Sequence, residues 1–197
     1  MGQIQAPISD KTSRIGYVAL GSNLATATRT SLEAVTESLQ LFSGESIRII
    51  QQSQWYSAPA FPKGNGPDYV NGVVEIETSL EAGETLAALH RIEAKLGRAR
   101  TTRWASRVVD LDLLALGDII APDLGEYTRW QTLQLDAQMT ETPEGLVLPH
   151  PRLQDRAFVL IPLAEIAPNW CHPVLGQTAS KLLAALSSAE RDEILPL

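Results

Sequence analysis

Apolar residues recur along this chain at two spacings, and the switches between them predict its elements. Ile15-Gly16-Tyr17-Val18-Ala19-Leu20 is a short apolar run that reads as a buried strand, closed by the turn residues Gly21-Ser22-Asn23-Leu24. Leu32, Val35, Leu39 and Leu41 or Phe42 then fall at helical spacing, behind a cap at Thr28 or Thr30 and ahead of Gly44. Ile47, Ile49 and Ile50 carry a second strand from Ser46 to about Tyr56. Three prolines and two glycines among the eleven residues from Ser57 to Pro67 force a loop. From Asp68 to Thr78 the alternation returns, with Tyr69, Asn71, Val73, Glu75 and Glu77 on one strand face and Val70, Gly72, Val74 and Ile76 on the other. A second helix runs from about Gly83 to Leu96, with Leu86, Leu89 and Ile92 or Leu96 inward, and Gly97 stops it. Val108 to Leu114 reads as a fourth strand.

Strand, helix, strand, strand, helix, strand is the order of the split βαβ motif, so the expected fold class is α+β: a ferredoxin-like βαββαβ antiparallel sheet. C-terminal helices follow, one beginning at Arg156-Ala157-Phe158 and restricted by Pro162 and Pro168, another over Ser180 to Ser187. The stretch from Gly117 to Leu146 alternates weakly and carries the turn signal Pro143-Glu144-Gly145, which predicts an extra hairpin. Residues 1–14 read as a flexible tail and 15–197 as a single domain.

Composition narrows the class. Hydrophobic residues at 44% and charged residues at 20% are ordinary for a soluble domain of 197 residues, and no 18-residue apolar run or signal sequence is present. A formal charge of −7 argues against nucleic acid as a partner, and a single cysteine, Cys171, allows no internal disulfide. The expectation is a cytoplasmic monomer acting on small molecules.

Against that acidic background, Arg98, Arg100, Arg103 and Arg107 crowd into ten residues just before Asp110 and Asp112. Period 2 places both aspartates on one strand face, about 7 Å apart. Two carboxylates so close call for a cation, and Mg²⁺ takes one or two carboxylates together with substrate phosphates. Guanidinium groups suit the same phosphates, so the cluster suggests phosphoryl transfer. An Asp-x-Asp pair or an arginine run alone would carry little weight. Tyr69 and Asn71 offer a ring for stacking and an amide that both donates and accepts, which would suit a flat heterocycle.

Several segments together resemble one family, the 6-hydroxymethyl-7,8-dihydropterin pyrophosphokinases of folate biosynthesis. They are Tyr17 to Leu24, Pro67-Asp68-Tyr69-Val70-Asn71, Gly97-Arg98, Arg103 to Asp112, and Leu148-Pro149-His150-Pro151-Arg152 with Arg156-Ala157-Phe158, in the family's order. The resemblance implies transfer of the terminal diphosphate of ATP to the hydroxymethyl group of the dihydropterin, with release of AMP. It implies two Mg²⁺ ions on Asp110 and Asp112, a pterin held between Tyr69 and Phe158 and read by Asn71, and a backbone contact at Ala58. Glu93, Arg98, Arg103, Trp104, Arg107, His150 and Arg156 match nucleotide-site positions, with Arg98 and Arg107 also in catalytic roles. Loops 57–67 and 98–108 are expected to order over ligands. The chain departs from frequent family residues at Ala105-Ser106, where Gly-Pro is common, and at Thr101-Thr102. A non-catalytic ligand-binding module and a metal-dependent nucleotidyl transferase are the competing readings; the second would release pyrophosphate instead of AMP.

Overall fold

A computed structural model of the chain describes residues 12–60, 66–97, 108–134, 137 and 141–197. It is a mixed α/β fold with one antiparallel sheet and several helices. The sheet contains β1 (Arg14–Ser22), β2 (Ile47–Gln52), β3 (Tyr56–Ala58), β4 (Tyr69–Thr78), β5 (Asp110–Leu116) and β6 (Leu195–Pro196). Strand β1 lies between β5 and β4, both β2 and β3 pair with the far side of β4, and β6 pairs with β3.

Helices α1 (Ser31–Leu41) and α2 (Ala82–Lys95) cover one face. Val18, Leu20, Val74, Ile76 and Leu111 from the sheet meet Ala34, Ala88, Leu89 and Ile92 there. Thr30 is the cap of α1, because Glu33 three residues on completes a reciprocal pair: Thr30 Oγ1 accepts from Glu33 N, and Glu33 Oε2 accepts from Thr30 N at 2.7 Å. Helix α4 (Ala157–Ile166) and α5 (Ala179–Ala185) cover the opposite face, where Tyr17, Val73 and Leu114 pack with Val159, Leu160 and Leu163. The helix runs through Pro162, which has no N–H to donate but does not end it; α4 stops just before Pro168. A short helix, α6 (Ser188–Asp192), precedes β6. No helix among the described residues is long and apolar enough to cross a membrane.

The second strand is not the continuous element expected over 46–56. Ile49 pairs with Ile76, Gln51 with Glu75 and Gln52 with Val74, whereas Tyr56 pairs with Asn71. Each interruption inserts one residue relative to β4, so the strand contains two bulges, and each reverses which face a given side chain meets. Ser53 holds the second: its N–H donates to Val73 O and its Oγ accepts from Val73 N, each at 3.0 Å. Trp55 lies against Gly72, where an added Cβ would come within 2.7 Å of the indole ring.

The hairpin expected between Gly117 and Leu146 does not appear among the described residues, and 135, 136 and 138–140 lie outside them. The segment contains helix α3 (Leu124–Thr132), capped by Asp123, whose side chain accepts from Glu126 N at 2.9 Å. Ala121 and Leu148 exchange a single pair of backbone bonds, the one ladder contact seen there among the described residues. Tyr127 and Trp130, three residues apart, point inward and form a small core with Val147.

Tyr127 also meets His172, a residue for which sequence offered no partner. The His172 ring is fully buried, its Nδ1 accepts from the N–H groups of Val174 and Leu175, and its Nε2 lies 3.2 Å from the Tyr127 hydroxyl. With Nδ1 accepting, the neutral ring carries its proton on Nε2 and donates to Tyr127. Burial pushes this imidazole down to about 4. The unfolded chain takes up the proton near 6.5 and the folded chain only near 4, so the unfolded state binds more protons between those values. The contribution is whole above pH 6.5 and lost as pH falls toward 4, amounting to roughly 3 kcal/mol. Urea denaturation from pH 7 to 4 should show a shallower loss of stability in His172→Asn than in the unchanged protein, and parallel curves would contradict the assignment.

Candidate functional site

Strand register brings the predicted residues onto the sheet face that α4 covers. Gly21 of β1 pairs with Asp110 of β5 on one side and with Asn71 of β4 on the other, and Asn71 pairs with Tyr56 of β3. Asp110, Gly21, Asn71 and Tyr56 therefore form one row across four strands. Asp112, Ala19 and Val73 form the next row, and Tyr69 pairs with Ala58 on the far side of the first. At the usual strand separation, Asp110 and Asn71 stand roughly 10 Å apart. The position between them has no side chain. A Cβ at Gly21 would sit 3.4 Å from Asn71 Oδ1 and 3.9 Å from the Tyr69 ring, so glycine keeps the floor between acid and amide open.

Each end of the row is supported from below or behind. Glu93, on α2, is only 1% exposed, and its Oε1 accepts at 2.8 Å from the N–H of Leu111, the residue between the two aspartates. The structure thus brings Glu93 to the backbone of the acid-bearing strand. Asn71 is 5% exposed, and its Nδ2 has no hydrogen-bond partner among the described residues. A buried amide donor left this way costs stability, commonly about 1–3 kcal/mol. A ligand acceptor is one of the groups that can satisfy such a donor.

The turn shortly before α4 and the start of α4 bring basic groups to the aspartates. His150 N donates to Leu114 O at 2.8 Å, which ties the Pro149-His150-Pro151 turn to β5. His150 Nδ1 accepts from Arg152 N at 3.2 Å, so the neutral ring holds its proton on Nε2. Burial first and the Arg156 charge second push the His150 imidazole down to about 3, with Asp110 opposing them. The Arg156 guanidinium is lowered by burial, against which the Asp112 carboxylate acts most strongly, and it lies 5.7 Å from the center of the Phe158 ring. Phe158 packs at the edge of the cluster built on Tyr17 and Val73.

Asp110, Asp112, Tyr69, Asn71, Ala58, Phe158, His150 and Arg156 thus gather around one sheet face, while Glu93 reaches it through the strand. Arg98, Arg103, Trp104 and Arg107 lie outside the described residues, as do parts of both loops expected to order over ligands. No cluster of three or more His, Cys, Asp or Glu side chains suited to a metal occurs among the described residues. Two carboxylates beside a cationic group fit a hard ion that takes its remaining ligands from water and phosphate, as Mg²⁺ does, and not an all-protein cage. Two surface clefts, of about 460 Å³ at Glu45 and Arg91 and about 540 Å³ at Glu126 and Arg129, contain no residue of this row. Their named acids and bases are paired with each other.

Sequence reading missed Gly21 as a floor, and it missed Tyr56 and Glu165. The Glu165 carboxylate accepts from Tyr56 Oη at 2.9 Å, and each of its oxygens lies 3.1 Å from Gln54 N. No local signal joins residues more than a hundred positions apart.

Comparison with known proteins gives a consistent result. The sequence profile of the family described as 7,8-dihydro-6-hydroxymethylpterin-pyrophosphokinase matches residues 17–168. A Synechocystis protein named 2-amino-4-hydroxy-6-hydroxymethyldihydropteridine pyrophosphokinase is 38% identical over 166 residues, which cover 84% of this chain and 73% of the relative. A Pseudomonas aeruginosa protein of the same name is 35% identical over 169 residues, 86% of this chain and 90% of the relative. Among solved structures, wild-type Plasmodium falciparum HPPK-DHPS superposes with a TM-score of 0.60 at 16% identity, over 88% of this chain and 44% of that one. At that identity the likeness concerns the fold.

Proposed function

The chain belongs to the 7,8-dihydro-6-hydroxymethylpterin-pyrophosphokinase family, and from that premise we propose how its residues divide the work. It is an enzyme, a pyrophosphokinase of folate biosynthesis that uses ATP as co-substrate. The observation that carries our assignment is the row Asp110, Gly21, Asn71: an acid at one end, a buried amide donor at the other, and an open floor between them. Its length suits a fused two-ring heterocycle with a one-carbon arm. We read the sheet as ferredoxin-like, because β5, β1, β4 and the split second strand stand in the order of that fold.

The pterin ring lies between Tyr69 and Phe158, with Ala58 beside it, and Asn71 pairs with the polar edge of the ring. The hydroxymethyl arm crosses Gly21 toward Asp110 and Asp112. Those two carboxylates would hold the two Mg²⁺ ions, which would supply positive charge against the triphosphate. Arg156 and the Nε2–H of His150 donate to phosphate oxygens, joined by Arg98, Arg103, Trp104 and Arg107 from the preceding loop. Glu93 serves the nucleotide side by fixing the strand that carries the acids. The hydroxymethyl oxygen attacks the β-phosphorus of ATP and loses its proton to solvent. The bond from that phosphorus to the oxygen shared with the α-phosphate breaks, and AMP leaves. We take the enzyme to be a cytoplasmic monomer without a nucleic-acid partner, in keeping with its charge of −7 and single cysteine.

The test is the nucleotide product after incubation with ATP, Mg²⁺ and 6-hydroxymethyl-7,8-dihydropterin. Pterin-dependent AMP that disappears on chelation is the expected result. ADP would mean monophosphate transfer, pyrophosphate a nucleotidyl transferase, and no turnover a binding module.

A further inference from the structure

The bulged second strand and the distal end of α4 meet at Glu165. Continued without its second bulge, the pairing of Gln52 with Val74 would set Tyr56 against Val70, on the face covered by α1 and α2. The extra residue places Tyr56 opposite Asn71 instead, so its side chain shares the face of the candidate site. The bulge also leaves Gln54 N out of the ladder, and the Glu165 carboxylate takes up that N–H together with the Tyr56 hydroxyl. One side chain of α4 thus holds both the strand interruption and the residue that the interruption re-aimed.

Glu165 follows Phe158 by seven residues, two helical turns, so both lie on the same side of α4, roughly 10 Å apart along its axis. The helix is otherwise held by Val159, Leu160, Leu163 and Ile166 in the apolar cluster. Apolar packing has no direction: it sets how deep the helix sits, and does little to fix its position along the sheet. The bonds from Glu165 to Gln54 and Tyr56 supply that direction. They tie the helix that carries Phe158 to the strand whose neighbors are Asn71 and Tyr69.

We infer that Glu165 is a positioning residue for the pterin, acting through Tyr56 and Gln54 to set the distance between Phe158 and the Tyr69–Asn71 strand. This rests on the pterin reading above. Glu165 is exposed, so its removal opens no cavity, and Gln54 N can turn to water. The nucleotide end of the site is held independently, by Glu93 on Leu111 and by His150 on Leu114. Loss of the carboxylate therefore acts on one substrate and spares the other.

The experiment is steady-state AMP formation by the full chain, with each substrate varied in turn. Glu165→Ala should raise KM for 6-hydroxymethyl-7,8-dihydropterin about tenfold. Its kcat and its KM for ATP should stay within about twofold. Tyr56→Phe, which loses one bond and keeps the ring, should raise the pterin KM by about threefold. Glu165→Gln keeps an acceptor oxygen and should fall between Glu165→Ala and the unchanged enzyme. An unchanged pterin KM in folded Glu165→Ala would overturn the inference. So would an equal rise in both KM values with a lowered Tm, which would mean a generally loosened fold. Absence of pterin-dependent AMP from the unchanged enzyme would instead defeat the pterin reading beneath it.

Discussion

Asp112→Ala is expected to lower kcat by about a thousandfold or more, with Asp110→Ala close behind, because stabilization of developing charge is commonly the largest single contribution to catalysis. Both carboxylates are half-buried on β5, whose fixed points are the backbone of Leu111 on Glu93 and of Leu114 on His150, so neither change should unfold the strand. The pattern across parameters is as informative as the size of the loss. Asp112 is the carboxylate that most offsets the burial of Arg156, so its removal leaves that guanidinium less compensated, with Asp110 and Asp155 still acting on it. In Asp112→Ala, turnover should fall far more than ATP binding weakens, the signature of an interaction needed in the transition state more than in the ground state. Product chromatography under saturating substrates, with calorimetric titration of the nucleotide, reads both quantities. Turnover within tenfold of the unchanged enzyme would remove Asp112 from the metal site.

Asn71→Ala is expected to cost about a hundredfold in kcat/KM for the pterin while shifting Tm by no more than about 3 °C. In the free protein the buried Nδ2 has no partner among the described residues, so under the proposed assignment the amide is a cost carried by the fold that the pterin would recover by supplying an acceptor. Removing it relieves that cost, which offsets the packing lost with the side chain. A large fall in Tm with catalytic efficiency preserved would show that Asn71 belongs to the core and not to the site. The KM for ATP serves as the control, since the nucleotide is assigned to the other end of the row.

Both changes concern residues that sequence alone marked. Asp110 and Asp112 were legible because strand periodicity is two and the residues between and after them are aliphatic. Tyr69 and Asn71 were legible for the same reason, and Thr30 could have been chosen over Thr28 from Glu33 three residues on. The α3 helix was hidden because only Tyr127 and Trp130 of its nine residues turn inward, too few for a helical period, although Asp123 was a readable cap. The second strand misled because bulges leave no pattern in the residues that form them. Ile47 to Tyr56 looks like one strand, and the phase reversals that bring Tyr56 beside Asn71 exist only in its pairing with β4. His172 shows the same limit, since its partner Tyr127 lies forty-five positions away.

The two-residue strand β6 has a bearing on how the protein behaves in a crowded solution. Leu195 and Pro196 lie along the outer edge of β3, and Leu197 N donates to Trp55 O at 2.9 Å. Without them β3 would present a row of unsatisfied backbone groups, the template on which sheets of neighboring molecules join. Pro196 has no N–H to offer a further strand. The edge of β3, next to the candidate site, is thus covered by two residues, the second of which cannot donate to a further strand.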